Sequence, residues 1–168
     1  LHAENLIIDG LGGALVNPEP PADQGRSYME RIQESNIRVT HVTLVAHAKE
    51  FDDALEQMFH YFNLFQVLPE QVLHVKTVAD IERATRERKL GVVFGFQTST
   101  PIDKHFWRWT ILHQLGLRVC QLAYMEPNLM ADGCLEPANR GLSYYGIQAV
   151  QEMNRLGIVV DLSHVGER

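Results

Sequence analysis

LGVVFGFQ, residues 90–97, is a near-continuous apolar run with the length of one β-strand. Such a run is typical of a parallel strand that is covered on both faces. The segment before it, residues 77–89, predicts a helix with Thr77 as its N-cap and a basic last turn. Residues 103–115 predict another helix, and RVCQLAY, residues 118–124, predicts the next strand. This succession indicates βα units with parallel strands.

The same alternation continues in both directions along the chain. Towards the N-terminus we predict a short buried strand at 6–8 that runs into a glycine-rich turn, a helix at 27–36, a strand at 39–47, a helix with an aromatic core stripe at 50–66 and a short strand at 72–75. Towards the C-terminus we predict a loop at 125–142, a helix at 144–156 with Ser143 as its cap and Gly157 at its end, and a strand at 158–164.

Alternating strands and helices are compatible with an open doubly wound sheet and with a closed (β/α)8 barrel. A dinucleotide-binding sheet requires GxGxxG after its first strand, whereas the first predicted strand is followed by GLGG at 10–13. A barrel instead places its chemistry at the C-terminal ends of its strands. Polar residues occupy those ends here: Asp9, His47, Gln97, Tyr124 and His164. We therefore predict a TIM-type (β/α)8 barrel with about its first five strands present, as a single domain over residues 1–168.

Composition excludes several classes of protein. The 15 Lys and Arg against 21 Asp and Glu give a net charge of -6, which argues against a nucleic-acid partner. The sequence has no apolar stretch long enough to span a membrane and no basic, apolar start typical of a secretory signal. Cys120 and Cys134 do not form a CxxC pair, so we expect free thiols. Together with the lack of a membrane span and of a secretory signal, this predicts a cytoplasmic protein without membrane association.

The two ends of the sequence are unusual for a complete barrel. The chain begins at Leu1 without a methionine and stops at DLSHVGER, residues 161–168, directly after a predicted strand. We therefore expect an incomplete chain. Five strands of an eight-stranded barrel leave two unpaired sheet edges, so we expect this chain on its own to aggregate or to form a homodimer.

His164 is the strongest metal-ligand candidate that the residues alone provide. In the predicted last strand, one face carries Ile158, Val160, Leu162 and His164. The histidine would therefore lie at the C-terminal end of the strand, directly after three apolar side chains on the same face. The alternative is a structural histidine, either one in the core with a hydrogen-bonded ring or one that merely caps the strand. HxH, HExxH, CxxC, GxSxG and P-loop motifs are absent from the sequence. The residues alone thus predict a barrel with a polar rim and leave its function open.

GLSYYGIQAVQEMNRLGIVVDLSHV, residues 141–165, closely resembles the segment of membrane (renal) dipeptidases that ends in a zinc-binding histidine. The resemblance extends back through LGLRVCQLAYMEPNLMADG at 115–133, KLGVVFGFQTSTPID at 89–103 and IDGLGG at 8–13. It implies an amidohydrolase-type (β/α)8 barrel with a binuclear zinc site that hydrolyses dipeptides and, in some members, β-lactams.

The resemblance also implies which positions carry the site, and several of them differ here. Leu11 and Gly13 occupy the positions of the family's His-x-Asp metal ligands, and neither side chain can bind zinc. Gln97 occupies the position of the carboxylate that bridges the two ions, but its amide is neutral. Tyr124 replaces a histidine that polarises the substrate, and His164 matches a zinc ligand directly. The remaining zinc histidine and the catalytic acid would lie beyond Arg168.

Three residues remain as metal candidates and three as substrate candidates. His164 and Gln97 stand at family positions, and Asp9 precedes the lost ligand position Leu11 by two residues, so its carboxylate could reach inward. The alternative for Asp9 is an acid that orders the glycine turn. For substrate contacts we single out Tyr124 and the loop residues Asn128 and Asp132. A metal-independent reaction could use these three residues together with Glu126.

Three functions are compatible with these residues. The first is a zinc-dependent hydrolase that cleaves dipeptides or a related small amide, with metal-activated water as the nucleophile. The second is a family member with a degenerate metal site that binds a small molecule or catalyses a metal-independent reaction. The third is a non-catalytic assembly subunit, which the aromatic helix at 50–66 permits without requiring. The resemblance favours the first.

Overall fold

The computed structural model describes residues 5–16, 28–47 and 49–168, in which strands and helices alternate as predicted. The elements are β1 (Ile7–Gly12), α1 (Tyr28–Glu34), β2 (Ile37–Val45), α2 (Phe51–Val67), β3 (Val72–His74), α3 (Val78–Glu87), β4 (Leu90–Phe96), α4 (Trp107–Leu115), β5 (Leu117–Gln121), α5 (Tyr144–Leu156) and β6 (Val159–Asp161). The strands belong to one sheet in the order β1-β2-β4-β5-β6, and β3 pairs with β4. The pairs β1–β2, β3–β4 and β5–β6 are parallel.

By its internal contacts the chain divides into two compact units, residues 1–43 with 59–94 and residues 44–58 with 95–168. The α/β class is confirmed, and the assignment of one domain to residues 1–168 stays a prediction, as does the homodimer. No helix in the described ranges combines the length and the apolarity that a bilayer crossing requires.

The core of the first unit lies where α3 and the second half of α2 cover the sheet. Ala84 of α3 packs against Leu73 and Val75, with Ile81 and Val93 around them. Gly91 makes this close approach feasible, because a Cβ there would lie 2.8 Å from the Val75 side chain and 3.3 Å from that of Ala84. From α2, the rings of Tyr61, Phe62 and Phe65 surround Phe94.

The predicted helix caps of α3 and α5 are confirmed. The Thr77 hydroxyl accepts from the Asp80 backbone N–H while the Asp80 carboxylate accepts from the Thr77 N–H, which is a complete capping box. Ser143 accepts from the Gly146 N–H at 3.0 Å and begins α5. Gly157, with a φ of 76°, ends α5 in the left-handed conformation that glycine adopts without steric cost.

Several details of the sequence-based prediction are wrong. The first strand extends to Gly12 instead of ending at residue 8, and it is not buried, since Ile8 is 51% exposed. In the aromatic stripe of α2, Phe59 is exposed, and Tyr61 occupies the core instead. Helix α4 begins at Trp107 and not at 103, because Asp103 has a φ of 51°, outside the helical region. β5 and β6 each end three residues before the predicted strand end.

Both cysteines are free thiols, as predicted. Cys120 is fully buried in β5, and this burial raises the pKa of its thiol far above the usual range. The Cys120 side chain is therefore a neutral core group. Cys134 is exposed in the loop that follows β5.

Candidate functional site

In the second unit, three aromatic side chains meet just after three strands. His47 follows β2 by two residues, while Tyr124 and His164 each follow their strands, β5 and β6, by three. The Tyr124 ring centroid lies 4.8 Å from that of His47, nearly edge to face, and 4.5 Å from that of His164. Tyr124 thus contacts both imidazoles, at separations where aromatic pairs attract one another.

Both histidines have left-handed backbone conformations that turn the chain away from the strand direction. The φ values are 62° for His47 and 61° for His164. Histidine is one of the few non-glycine residues that is enriched in this region. At His164 the turn is further fixed by Asp161, whose carboxylate accepts from the Ser163 N–H at 2.9 Å, and by the Cys134 N–H, which donates to the His164 carbonyl at 2.8 Å.

This turn corrects the sequence-based picture of His164. The prediction of a continuous strand through residue 164 placed the histidine on an apolar column with Leu162. The structure ends β6 at Asp161, and the Leu162 side chain is 71% exposed. The Asp161 carboxylate takes the Ser163 N–H that would otherwise continue the strand. His164 therefore faces the Tyr124 ring because of the turn and not because of strand alternation.

A pocket of about 180 Å³ opens beside Tyr124. Its walls combine aromatic, apolar, hydroxyl, amide and carboxylate groups. They are supplied by His47, Thr98, Thr100, Tyr124, Met125, Glu126, Pro127, Asn128 and Leu135. The volume is smaller than that of a typical drug-sized ligand pocket, so the pocket suits one end of a small molecule.

Asn128 holds the loop of the pocket in place. Its side-chain N–H group donates to the Leu122 carbonyl at 2.6 Å, and its amide oxygen accepts from the N–H groups of Met130 and Ala131 at 2.8 and 3.1 Å. The hydroxyl of Ser99 donates to the same Leu122 carbonyl at 2.7 Å. Asn128 therefore lines the pocket while its amide is engaged within the protein, and its contact with substrate stays a prediction.

Asp132 is engaged in a similar way, with Arg140. Its side chain is only 6% exposed, and its carboxylate accepts from the Arg140 backbone N–H at 2.7 Å and from the guanidinium at 3.1 and 3.2 Å. The hydrogen bonds from Arg140 hold the pKa of Asp132 below its usual range. Asp132 does not line the pocket beside Tyr124, and its contact with substrate stays a prediction.

Asp9 and the two substituted ligand positions lie in the first unit. The Asp9 carboxylate accepts from the Leu11 N–H at 3.1 Å, which is the turn-ordering arrangement that the sequence left open as the alternative. Leu11 is 51% exposed. Next to this turn, the buried imidazole of His41 lies with its Nδ1 2.7 Å from the Gly10 carbonyl, so Nδ1 carries the proton that it donates.

Gln97 directly follows β4, and its backbone N–H donates to the Val45 carbonyl at 2.8 Å. Among residues 5–16, 28–47 and 49–168, no three His, Cys, Asp or Glu side chains lie close enough together to hold a metal ion. The positions of Leu11 and Gly13 offer no side-chain atom that could ligate a metal ion. The Gln97 amide is neutral and cannot supply the negative charge that a bridging carboxylate gives to two ions. The described residues therefore do not fit the binuclear zinc site that the resemblance implies.

The structure adds pocket residues that sequence reasoning did not select. Thr98 and Thr100 follow β4, and their hydroxyls lie 2.7 Å apart. His47 was one of the polar strand ends, but nothing in the sequence indicated that it contacts Tyr124. The TST sequence directly after an apolar strand is the signal that could have identified the two threonines.

Parallel βα units whose polar residues follow the strand ends define half of a (β/α)8-type protein. An amidohydrolase from Pseudomonas aeruginosa matches 99% of this chain with a TM-score of 0.88 and 30% sequence identity, while this chain covers 48% of it. A metallopeptidase from Rhodobacter sphaeroides, solved with a phosphinate mimic of the dipeptide L-Ala-D-Ala, has the same fold, with a TM-score of 0.81 at 17% identity over 96% of this chain and 59% of that protein. The barrel prediction is confirmed.

The chain belongs to the membrane dipeptidase family, peptidase family M19, whose sequence model matches residues 23–168. Dipeptidase tcpJ of Claviceps purpurea is 29% identical over 124 residues, which cover 73% of this chain and 29% of the relative. Dipeptidase verJ of Clonostachys rogersoniana is 47% identical over 91 residues, covering 53% of this chain and 24% of the relative. The matched part of the chain thus spans between 24% and 29% of the length of these curated relatives.

Proposed function

We propose that the protein is a dipeptidase-like hydrolase that cleaves the amide bond of a dipeptide or a related small amide. The match of the dipeptidase family model to residues 23–168 is the observation that carries this proposal. The pocket beside Tyr124 supports it, because it follows the strand ends where barrel enzymes bind their substrates. The metallopeptidase from Rhodobacter sphaeroides was solved with a dipeptide mimic, which supports a substrate of dipeptide size for this protein.

Tyr124 is the residue that we assign to the scissile amide. Its phenol is half-buried at the pocket wall, and its ring is held by the imidazoles of His47 and His164. A fixed O–H group can donate a hydrogen bond to the substrate carbonyl and stabilise the negative charge that develops on its oxygen during hydrolysis. This is the role of the polarising histidine at the same family position. His47 and His164 act on the reaction through Tyr124, as positioning residues.

Because the chain belongs to a metallopeptidase family, we expect the activity of the intact protein to depend on a metal ion. The described residues supply no set of ligands that fits two zinc ions. The contribution of this chain is therefore substrate binding and orientation at the pocket. Cytoplasmic location and a reducing environment stay predictions.

An assay of the intact protein with a panel of unprotected dipeptides tests the proposal. Hydrolysis is measured as the release of free amino acids. We expect cleavage that depends on enzyme concentration and that Tyr124→Phe reduces through kcat more than through KM, because the phenol acts in the transition state. Asn154→Ala, on the outer surface of α5, is the matched control and should leave both constants unchanged. Binding without cleavage for every dipeptide would overturn the proposal in favour of a small-molecule binder.

A further inference from the structure

The permanent charge of the pocket beside Tyr124 is carried by one side chain. Of the nine described residues that line the pocket, Glu126 is the one carboxylate, and none is a lysine or an arginine. A ligand carboxylate entering this pocket would meet a like charge and would find no lysine or arginine to pair with. A ligand cation would instead meet an opposite charge at the pocket wall.

The neutral polar groups of the pocket are largely occupied within the protein. The Asn128 amide bonds to Leu122, Met130 and Ala131, and the hydroxyls of Thr98 and Thr100 bond to each other. These groups therefore give an anion few donors to replace the water that it loses on entering. The electrostatic selection is left to Glu126 and to the aromatic rings.

The aromatic and apolar walls of the pocket also favour an ammonium group, next to a small hydrocarbon group. Tyr124 and His47 present rings to the pocket, and Met125, Pro127 and Leu135 present apolar atoms. An ammonium group over a tyrosine ring is attracted by the negative potential of the ring face. The apolar residues favour a short branched hydrocarbon next to that charge.

We propose that this pocket binds the cationic amine end of its ligand, a primary ammonium group that carries a small branched apolar group. The inference rests on the proposed function and deepens it: the free amino end of the dipeptide occupies the pocket between Glu126 and the Tyr124 ring, and the substrate carboxylate lies outside it. The pocket volume of about 180 Å³ matches one residue of a peptide better than a whole dipeptide.

Three small probes with the same hydrocarbon test the charge preference directly. Isobutylamine, isobutanol and isovalerate carry an ammonium, a hydroxyl and a carboxylate on the same isobutyl group, and none has an amide bond to cleave. Each is titrated into the intact protein, labelled with ¹³C-methyl methionine, at pH 7. The Met125 methyl signal reports pocket occupancy, and Met130, which is buried, reports that the fold is intact. We expect isobutylamine to shift the Met125 signal with an affinity at least about fivefold above the other two.

Variants locate the charge preference at named residues. Glu126→Gln removes the charge at nearly constant shape and should weaken isobutylamine binding by up to about fivefold, the upper end of the range for an exposed ion pair. Glu136→Gln removes the same charge from the same loop outside the pocket and should leave the affinity unchanged. Tyr124→Phe should retain amine binding because the ring remains, and Tyr124→Leu should weaken it by a similar factor.

Equal affinity for isobutylamine and isovalerate, or an unchanged affinity in Glu126→Gln with an intact Met130 signal, would overturn the inference. The probes separate this result from the fate of the proposed function. Selective amine binding by a protein that cleaves no dipeptide would remove the hydrolase and keep the amine site. Dipeptide cleavage without selective amine binding would remove the amine site and keep the hydrolase.

Discussion

The ring centroid of Tyr124 lies 4.5 Å from that of His164, at an interplanar angle of 42°. The strand register explains why the two side chains meet. Gln121 of β5 pairs with Asp161 of β6 in parallel, and each ring belongs to the residue three positions further along its own chain segment. Parallel pairing therefore brings the two strand ends to the same level, and the left-handed turn at His164 directs its imidazole to the phenol ring.

A double-mutant cycle measures the energy of this ring contact. Tyr124→Leu and His164→Leu should show a coupling of about 0.5 to 1.5 kcal/mol in the free energy of unfolding, the range of aromatic pairs. Tyr124→Leu combined with Asn154→Ala should be additive, since residue 154 lies on the exposed side of α5. The measurement is denaturant unfolding of wild type, the three single variants and the two double variants. Additivity of the Tyr124 and His164 changes would show that the ring contact does not contribute to stability.

Replacing Asn128 should destabilise the loop that carries the pocket. Asn128→Ala removes the amide that bonds to the Leu122 carbonyl and to the Met130 and Ala131 N–H groups. The Leu122 carbonyl keeps its bond from the Ser99 hydroxyl, but the Met130 and Ala131 N–H groups lose this acceptor, which costs about 1 to 3 kcal/mol. Chemical denaturation measures this loss, with Asn154→Ala as the control, whose midpoint should be equal to or slightly above that of wild type because alanine favours the helix. Equal midpoints for the two variants would contradict the role of Asn128 as the holder of the loop.

The ion pair of Asp132 and Arg140 predicts a pH dependence of stability. Because the hydrogen bonds from Arg140 lower the pKa of Asp132 in the folded chain, the carboxylate stabilises the fold above its unfolded-state pKa of about 4. That contribution is lost as the pH falls through the lower, folded-state pKa. Asp132→Asn should therefore be less stable than wild type at pH 7, and the difference should shrink below about pH 4.

Unfolding free energies of wild type and Asp132→Asn across this range provide the measurement. Glu82→Gln, at an exposed position on α3, serves as the charge-matched control and should track wild type throughout. A difference between Asp132→Asn and wild type that stays constant from pH 7 to pH 3 would show that the charge of Asp132 is irrelevant to the loop.

Metal content follows from the chemistry of three positions. Leu11, Gly13 and Gln97 lack the imidazole and carboxylate groups that two zinc ions require, so the intact protein purified without chelators should hold fewer than two zinc ions per chain. A combined Leu11→His, Gly13→Asp and Gln97→Glu variant should bind more zinc, measured by elemental analysis after dialysis. Two ions in the wild type, or no gain in the variant, would contradict this assignment of the three positions.

The sequence predicts the succession of elements well, because apolar periodicity and caps are local signals. Thr77, Ser143 and Gly157 mark their helix ends as expected. It fails where one hydrogen bond redirects the backbone. The Asp161 carboxylate takes the Ser163 N–H, which ends β6 early, and no periodicity reports that choice. The partners of Asn128 and Asp132 were hidden for a related reason, since a loop rich in polar residues shows neither which groups pair nor which stay free.

The contact of His47 with Tyr124 was equally inaccessible from the sequence. The two residues are far apart along the chain, and the contact depends on strand order together with a positive φ at His47. The resemblance to dipeptidases identified Tyr124 and His164 one at a time, by position. Only the structure shows that they form one aromatic group beside a pocket.

The most direct measurement is kcat/KM for a dipeptide hydrolysed by the intact protein, compared between wild type, Tyr124→Leu and the control Asn154→Ala. We predict measurable hydrolysis by wild type, a loss of about tenfold or more in Tyr124→Leu and no change in Asn154→Ala, since the phenol stabilises charge that develops in the transition state. Absence of hydrolysis in wild type, or an unchanged kcat/KM in Tyr124→Leu, would contradict a dipeptidase site built on Tyr124.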